Sequence, residues 1–425
     1  MISKENEKLF EYIKSSPTPY HAVKTTAGML KEAGFIELDE KDDYKSVIKE
    51  GGKYFVTRSE SSIIAFSLDG YKVGQGFNMA AAHSDSPMFR VKLPNANVIS
   101  GKYTRLNVEG YGGMLMAPWF DRALTVAGRL VVRDEKQGIR SELFYIDKDL
   151  CVIPSLAIHM NREANKGYEY NIQKDLLPLY SNQGDKADIV SIAADACGVD
   201  KVDVVSGDLW LVTREEPKLL GEQDEFILSP RLDDLACAFG LTYGLIQADK
   251  KAPSLVAIFD NEEVGSGSRQ GADSTFLSDT LERINEAFGG SRSDYLRTLA
   301  NSFMISADNA HSLHPAHEDK ADVTNKVYMN QGVVIKFAAN QKYTTDAVSY
   351  SKLVSICEAA DVPYQTFYNR SNVAGGSTLG NISTSHVSVP SVDIGLAQLS
   401  MHSAVETEGS ADTKYLVDLM KEYFK

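Results

Sequence analysis

The chain has 425 residues, 43% of them hydrophobic and 24% charged, which supports a sizeable folded core and excludes disorder. Its 44 basic and 58 acidic residues leave a net charge of −14, which argues against a nucleic-acid backbone or an anionic membrane as partner. The four cysteines, Cys151, Cys197, Cys237 and Cys357, lie far apart with no CxxC pair and read as reduced thiols. The charged N-terminus and the lack of any long apolar run make the cytoplasm the expected location.

In chain order, Phe10, Tyr12 and Ile13 mark a first helix, SSPTP interrupts it, and YHAVKTTAGMLKEAGF resumes helical spacing. IIAFSLDG and NMAAAH then read as buried strands bounded by turn residues. From about Leu93 to Pro230 the texture changes to short alternating segments such as SELFYI, KVDVV and DLWLV, expected to form an inserted β-rich domain over residues 93–230. Residues 1–92 and 231–425 are expected to form one discontinuous α/β domain. Its second part alternates helix and strand: LACAFGLTYGLIQ, LVAIF, FLSDTLERINEAF, FMISA and AVSYSKLVSICEAA. That alternation predicts βαβ units and a mixed, largely parallel sheet flanked by helices.

Chemistry-bearing residues fall at the ends of these strands. In NMAAAHSDSP, His83 and Asp85 are two apart and share one side of an extended chain. In SPRLDDL, Asp233 and Asp234 open a helix, where acids complement the dipole, so Asp233 gains interest only in company. SLVAIFDNEEVGSGS sets Asp260, Glu262 and Glu263 after an apolar strand, where crowded carboxylates lose solvation and repel one another. Adjacent side chains are expected to diverge, so one glutamate can hold a metal while the other acts as a base. FMISADNAHSLHP ends in Asp308, with His311, His314 and His317 close behind at a spacing that is not a standard ligand pattern. VDIGLAQLSMHS ends in His402. In open α/β sheets ligands bind outside the carboxyl ends of the strands, so these segments are expected to converge. Mixed histidine and carboxylate donors suit Zn²⁺ or a similar divalent ion better than an all-oxygen Ca²⁺ or Mg²⁺ cage.

The ordered motifs AAHSDSP, SPRLDDL, DNEEVGS, SADNAHSLHP, AGGSTLG and SMHS resemble the aspartyl aminopeptidase family of co-catalytic zinc exopeptidases. YGGMLMAPWFDRALTVAGR and IPSLAIHMNRE extend the resemblance into the insert. It implies a metal-dependent aminopeptidase that removes the first residue from peptides with a free N-terminus, preferring Asp or Glu there. It also implies two Zn²⁺ per subunit, replaceable by Co²⁺ or Mn²⁺. The implied ligands are His83, Asp233, Glu263, Asp308 and His402, with Asp233 bridging, His83 and Asp308 on one ion, and Glu263 and His402 on the other. Glu262 would be the general base and Asp85 would orient His83. Lys336, on a predicted strand in VVIKFAANQKY, and Tyr343 would receive the acidic side chain. Gly376 would turn its backbone toward substrate, and His159 would reach the active site of a neighbouring subunit in a homododecamer. Two other readings share the same donors: a di-zinc amidohydrolase that removes an acyl or succinyl group, and an aminopeptidase with a neutral, hydrophobic preference. A non-catalytic assembly protein is the third class, and the intact Glu262 counts against it. Asp260 has no role in this reading.

Overall fold

The computed structural model describes residues 2–136, 138–249, 251–376 and 378–425, and the chain folds into two compact units. The first comprises Met1–Asp85, Pro217–Met401 and Glu406–Lys425. The second comprises Ser86–Glu216 with His402–Val405. The insert therefore begins at Ser86 rather than 93 and ends at Glu216 rather than 230. Strand pairing is the reason. Met88–Val91 pairs with Val108–Tyr111 inside the second unit, whereas Lys218–Leu220 and Phe226–Ser229 join a ladder with Glu406–Gly409 inside the first.

The first unit is built on a nine-stranded sheet. In spatial order its strands are Ile36–Leu38, Lys53–Arg58, Ser62–Ser67, Ser254–Phe259, Asn78–His83, Phe303–Ala307, Ser391–Gly395, Val333–Phe337 and Tyr364–Tyr368. Five pairings are parallel and three antiparallel, so the sheet is mixed and largely parallel, as its βαβ texture predicts. The central strands are apolar throughout because both faces are covered. Ala80, Ala82, Val256, Ile258 and Ile305 pack on one face with the helices Lys4–Lys14, Pro19–Glu32, Leu232–Gln247 and Asp412–Tyr423. Their neighbours Met79, Ala81, Leu255, Ala257 and Met304 pack on the other face with Phe276, Leu281 and Ile284 of the helix Phe276–Ala287.

Register sets where the site falls. Phe259 pairs with His83, and Ser306 with Ala81, so three adjacent parallel strands end at one level. The residues that follow, Ser84 to Asp85, Asp260 to Glu263, and Asp308, emerge side by side at the carboxyl edge. The second unit is β-rich, as expected. It carries a five-stranded and a three-stranded sheet and the helix Ile189–Cys197, which ends at Gly198 in the left-handed conformation. Among the described residues no helix is long and apolar enough to cross a membrane.

Gly395 ends its strand against the Asp308 loop, and an added Cβ would lie 2.1 Å from the Asp308 carbonyl oxygen. Gly395→Ala is expected to lower the unfolding free energy by about 1–3 kcal/mol, the usual cost of overpacking, in urea titrations. An unchanged midpoint would mean that the loop has room to retreat.

Candidate metal centre

His83 is fully buried and is held from both ends. Its backbone N–H donates to Asp234 Oδ2 at 3.1 Å. Its Nδ1 lies 3.0 Å from the main-chain oxygen of Asp85, and since a carbonyl only accepts, Nδ1 carries the hydrogen. The lone pair of a neutral ring then sits on Nε2, 3.6 Å from Asp233 Oδ1. Two electron-pair donors thus face one another, an arrangement that suits a cation between them. Donor atoms of His83, Asp233 and Asp234 lie within 4.8 Å of one another, and so do those of His83, Glu262 and Glu263.

Asp85 does more than orient the ring. Its carboxylate accepts the backbone N–H groups of Glu262 and Glu263, both at 3.2 Å, and so binds the end of one strand to the turn after its neighbour. That turn is a single 3₁₀ turn, Glu262–Val264, entered through Asn261 in the left-handed conformation. The expected divergence of Glu262 and Glu263 is corrected here: side chains around a 3₁₀ turn step by about 120° rather than alternating as on a strand, and both carboxylates approach His83. Asp260 is buried, and its Oδ1 accepts the Asn261 N–H at 2.7 Å, which shapes the same turn.

Asp233 and Asp234 are also placed differently from expectation. Both have non-helical backbone angles, the peptide between them is cis, and Arg231 ahead of them is left-handed. They therefore stand at an irregular entrance to the helix rather than in a regular first turn. Asp233 is fixed by its N–H to Glu406 Oε2 at 3.0 Å.

Asp308 follows its strand as expected but joins no converging donor group among the described residues. Its carboxylate lies 3.7 Å from the Lys336 ammonium. Lys336 is buried, and its Nζ donates to the main-chain oxygens of Asp308 at 2.6 Å and Asn309 at 3.2 Å. Burial opposes its charge, but the Asp308 carboxylate, with that of Asp393, outweighs this cost and holds the ammonium above its ordinary range. Tyr343 covers it, with the ring centroid 5.3 Å from Nζ. Tyr343 and Gly376 share the lining of one cavity; Ser377 of AGGSTLG lies outside the described residues. His402 groups with the second unit, where its Nδ1 lies 2.8 Å from the Gly113 carbonyl oxygen. His159 is exposed on the same unit.

The electrostatics of the cluster are those of an acid nest. Burial first, then the charges of Asp308, Asp85 and Asp233, push Glu262 up to about 8. Burial and Asp233 hold Glu263 well above the carboxylate range, and Asp234 and Asp308 are raised for similar reasons. Burial opposes a charge on His83, but Asp234, Asp233 and Asp85 together raise it. So many carboxylates around one imidazole favour protons or a divalent cation, and the donor types fit zinc.

Sequence reasoning noted Asp234 only as a helix-opening acid and missed Glu406 and Asp393. Asp234 was hidden by its neighbour, and Glu406 by an alternation, VETEG, that reads as a solvated strand. Asp393 carried a usable signal, a lone acid within the apolar run VDIG. It is fully buried and accepts from the hydroxyls of Thr344 at 2.8 Å and Thr378 at 2.6 Å.

The family model described as aminopeptidase I zinc metalloprotease (M18) matches residues 12–424. A curated relative from Clostridium acetobutylicum, "Probable M18 family aminopeptidase 2", is 42% identical over 98% of both chains. "Aspartyl aminopeptidase 1" of Schizosaccharomyces pombe is 37% identical over 98% of this chain and 93% of that protein. The solved mApe1 dodecamer of S. cerevisiae matches with a TM-score of 0.88 at 26% identity, over 99% of this chain and 96% of that one. With the model and full-length relatives spanning it nearly end to end, the chain belongs to the M18 zinc aminopeptidase family, hydrolases that act on peptides.

Proposed function

We propose that the chain releases an acidic first residue, Asp or Glu, from peptides with a free N-terminus, using two zinc ions per subunit. The observation that carries this reading is the approach of Asp233 to the lone-pair nitrogen of His83, with Glu262 and Glu263 grouped about the same imidazole at the carboxyl edge of the sheet. The proposed ligands are His83, Asp233, Glu263, Asp308 and His402. The last is supported by the resemblance and by the Gly113 contact, which sets its ring in the tautomer with the lone pair on Nε2. The name of the Schizosaccharomyces pombe relative supports the acidic preference.

When bound, zinc polarises the scissile carbonyl and makes water a stronger acid. The chain's own residues do the rest. Glu262 takes the proton of the attacking water and returns it to the departing amine. Asp85 holds Glu262 and Glu263 by their N–H groups and fixes the His83 tautomer through its main-chain oxygen. Lys336 grips the Asp308 main chain, and Tyr343 and Gly376 shape the cavity beside it.

Self-association, with the dodecamer as its expected form, is supported by the exposed Leu156, Ile158 and Met160 around His159. Apolar side chains so exposed suit a surface that a second copy covers. The four free cysteines fit the reducing cytoplasm.

Chelation followed by return of Zn²⁺, Co²⁺ or Mn²⁺ should abolish and then restore release of the first residue from aminoacyl amides. Restored activity on none of an acidic, basic and apolar panel would sink the proposal. Chelation should also lower Tm by several degrees, because the acid nest loses a ligand that binds only the folded state. Glu262→Gln should retain metal while kcat falls roughly 10²–10⁴-fold, the usual worth of a general base. Glu263→Gln should instead release one of the two ions, read by metal analysis. Asp85→Asn, which weakens the tie to the glutamate turn, should cost about 10–100-fold in metal affinity or activity.

A further inference from the structure

Asn309 follows the proposed ligand Asp308 and is buried, yet the reaction as derived gives it no part. Its main chain is fixed by the sheet. The Asp308 N–H donates to the Ile394 carbonyl oxygen at 3.1 Å, the Ala310 N–H donates to that of Leu396 at 2.8 Å, and the Asn309 carbonyl oxygen accepts from Lys336 Nζ at 3.2 Å. From that base the side chain reaches across to the helix Leu232–Gln247.

All four hydrogen-bonding positions of the carboxamide are engaged. Nδ2 donates to the Leu232 carbonyl oxygen at 3.1 Å and to Gln398 Oε1 at 2.9 Å. Oδ1 accepts from the Leu396 N–H at 3.3 Å and from the Cys237 thiol at 3.2 Å. Two of these partners are main-chain groups of fixed polarity, a carbonyl on one side and an N–H on the other, so the orientation of the amide follows from them. The Leu232 carbonyl belongs to the peptide unit that enters Asp233, and the N–H of that same unit donates to Glu406 Oε2 at 3.0 Å. The peptide is thus held from both sides at an entrance where Asp233 and Asp234 are not helical. One short path then joins two proposed ligands, from Asp308 through the Asn309 amide to the peptide of Asp233.

We infer that Asn309 is a positioning residue that sets the separation of Asp233 and Asp308, and that the ion proposed for His83 and Asp308 depends on it while the second ion does not. The inference rests on the two-zinc reading above and names the interior group that one of its ions needs. Aspartate has nearly the same shape as asparagine but no N–H to offer, so at position 309 its carboxylate would face the Leu232 carbonyl oxygen and repel it. Gln398 could turn to meet it, because its Nε2 has no hydrogen-bond partner among the described residues. The exchange therefore breaks the tie to the Asp233 peptide and can leave the other three.

The test counts zinc per subunit after dialysis against zinc, with affinities from chelator competition, for the wild type, Asn309→Asp, Asn309→Ser and Cys237→Ala. Wild type and Cys237→Ala should hold two ions. Asn309→Asp should hold one, with the Kd of the other raised roughly 10–100-fold, the usual cost of losing a group that orients a metal ligand. The neutral Asn309→Ser, whose hydroxyl is too short to reach both acceptors, should do the same and shows that an added charge is not the cause. Both variants should keep the wild-type far-ultraviolet circular dichroism without metal. Combining Asn309→Asp with Glu263→Gln should remove both ions, since the two changes act on different ones. Two tightly held ions in both Asn309 variants, loss of both ions from either one, or a combined variant that still holds one, overturns the inference and leaves the two-zinc reading intact. A wild type that holds fewer than two ions overturns that reading and this inference with it.

Discussion

Carboxylates gathered out of water around a single imidazole are the constraint on which this structure turns. Asp85, Asp233 and Asp234 are almost fully buried, and Glu262, Glu263 and Asp308 are largely so. Burial and the neighbouring charges raise the cost of ionising Asp234, Glu262, Glu263 and Asp308, so the nest exists only because the fold holds it against its own repulsion. The means is the sheet. Three adjacent parallel strands end level with one another, and their ladders fix the acids to within the tolerance of a backbone hydrogen bond.

Around that edge, interior polar groups fasten the loops. Asp85 fastens the glutamate turn, Glu406 fastens Asp233, and Asp234 fastens the backbone of His83. Lys336 and Asp393 work as a second layer. The lysine pins the Asp308 main chain, and Asp393 collects Thr344 and Thr378 from the two loops on either side. Charges in these places are costly to bury, and removing one partner would leave the other uncompensated.

Much of this was legible in the sequence, because strand ends are marked by apolar runs that stop at a charged residue. SLVAIF before Asp260, NMAAAH before Ser84 and FMISA before Asp308 mark the site at one edge of a mixed sheet. What stayed hidden depended on distance along the chain. Glu406 lies far in sequence from Asp233, and its alternating neighbours imitate a solvated strand. The end of the insert at Glu216 was hidden for the same reason, since Pro217–Ser229 reads like the insert but its strands join the ladder of Glu406–Gly409. Lys336 shows a subtler limit: an apolar flank says that a lysine needs a partner, but not that the partner is a pair of main-chain oxygens.

The direction of one strand has a wider consequence. Val333–Phe337 runs antiparallel to Ser391–Gly395, so Lys336 enters from within a ladder and its position is set by the sheet itself. Arg370 instead stands on a loop that follows the edge strand Tyr364–Tyr368. The two cations are thus inherited under different rules. Changes between residues 369 and 376 can be sampled without touching the metal-holding strands, whereas a change at Lys336 is felt at once by Asp308. The sheet therefore leaves its edge loop freer to change than the groups packed beside its central strands.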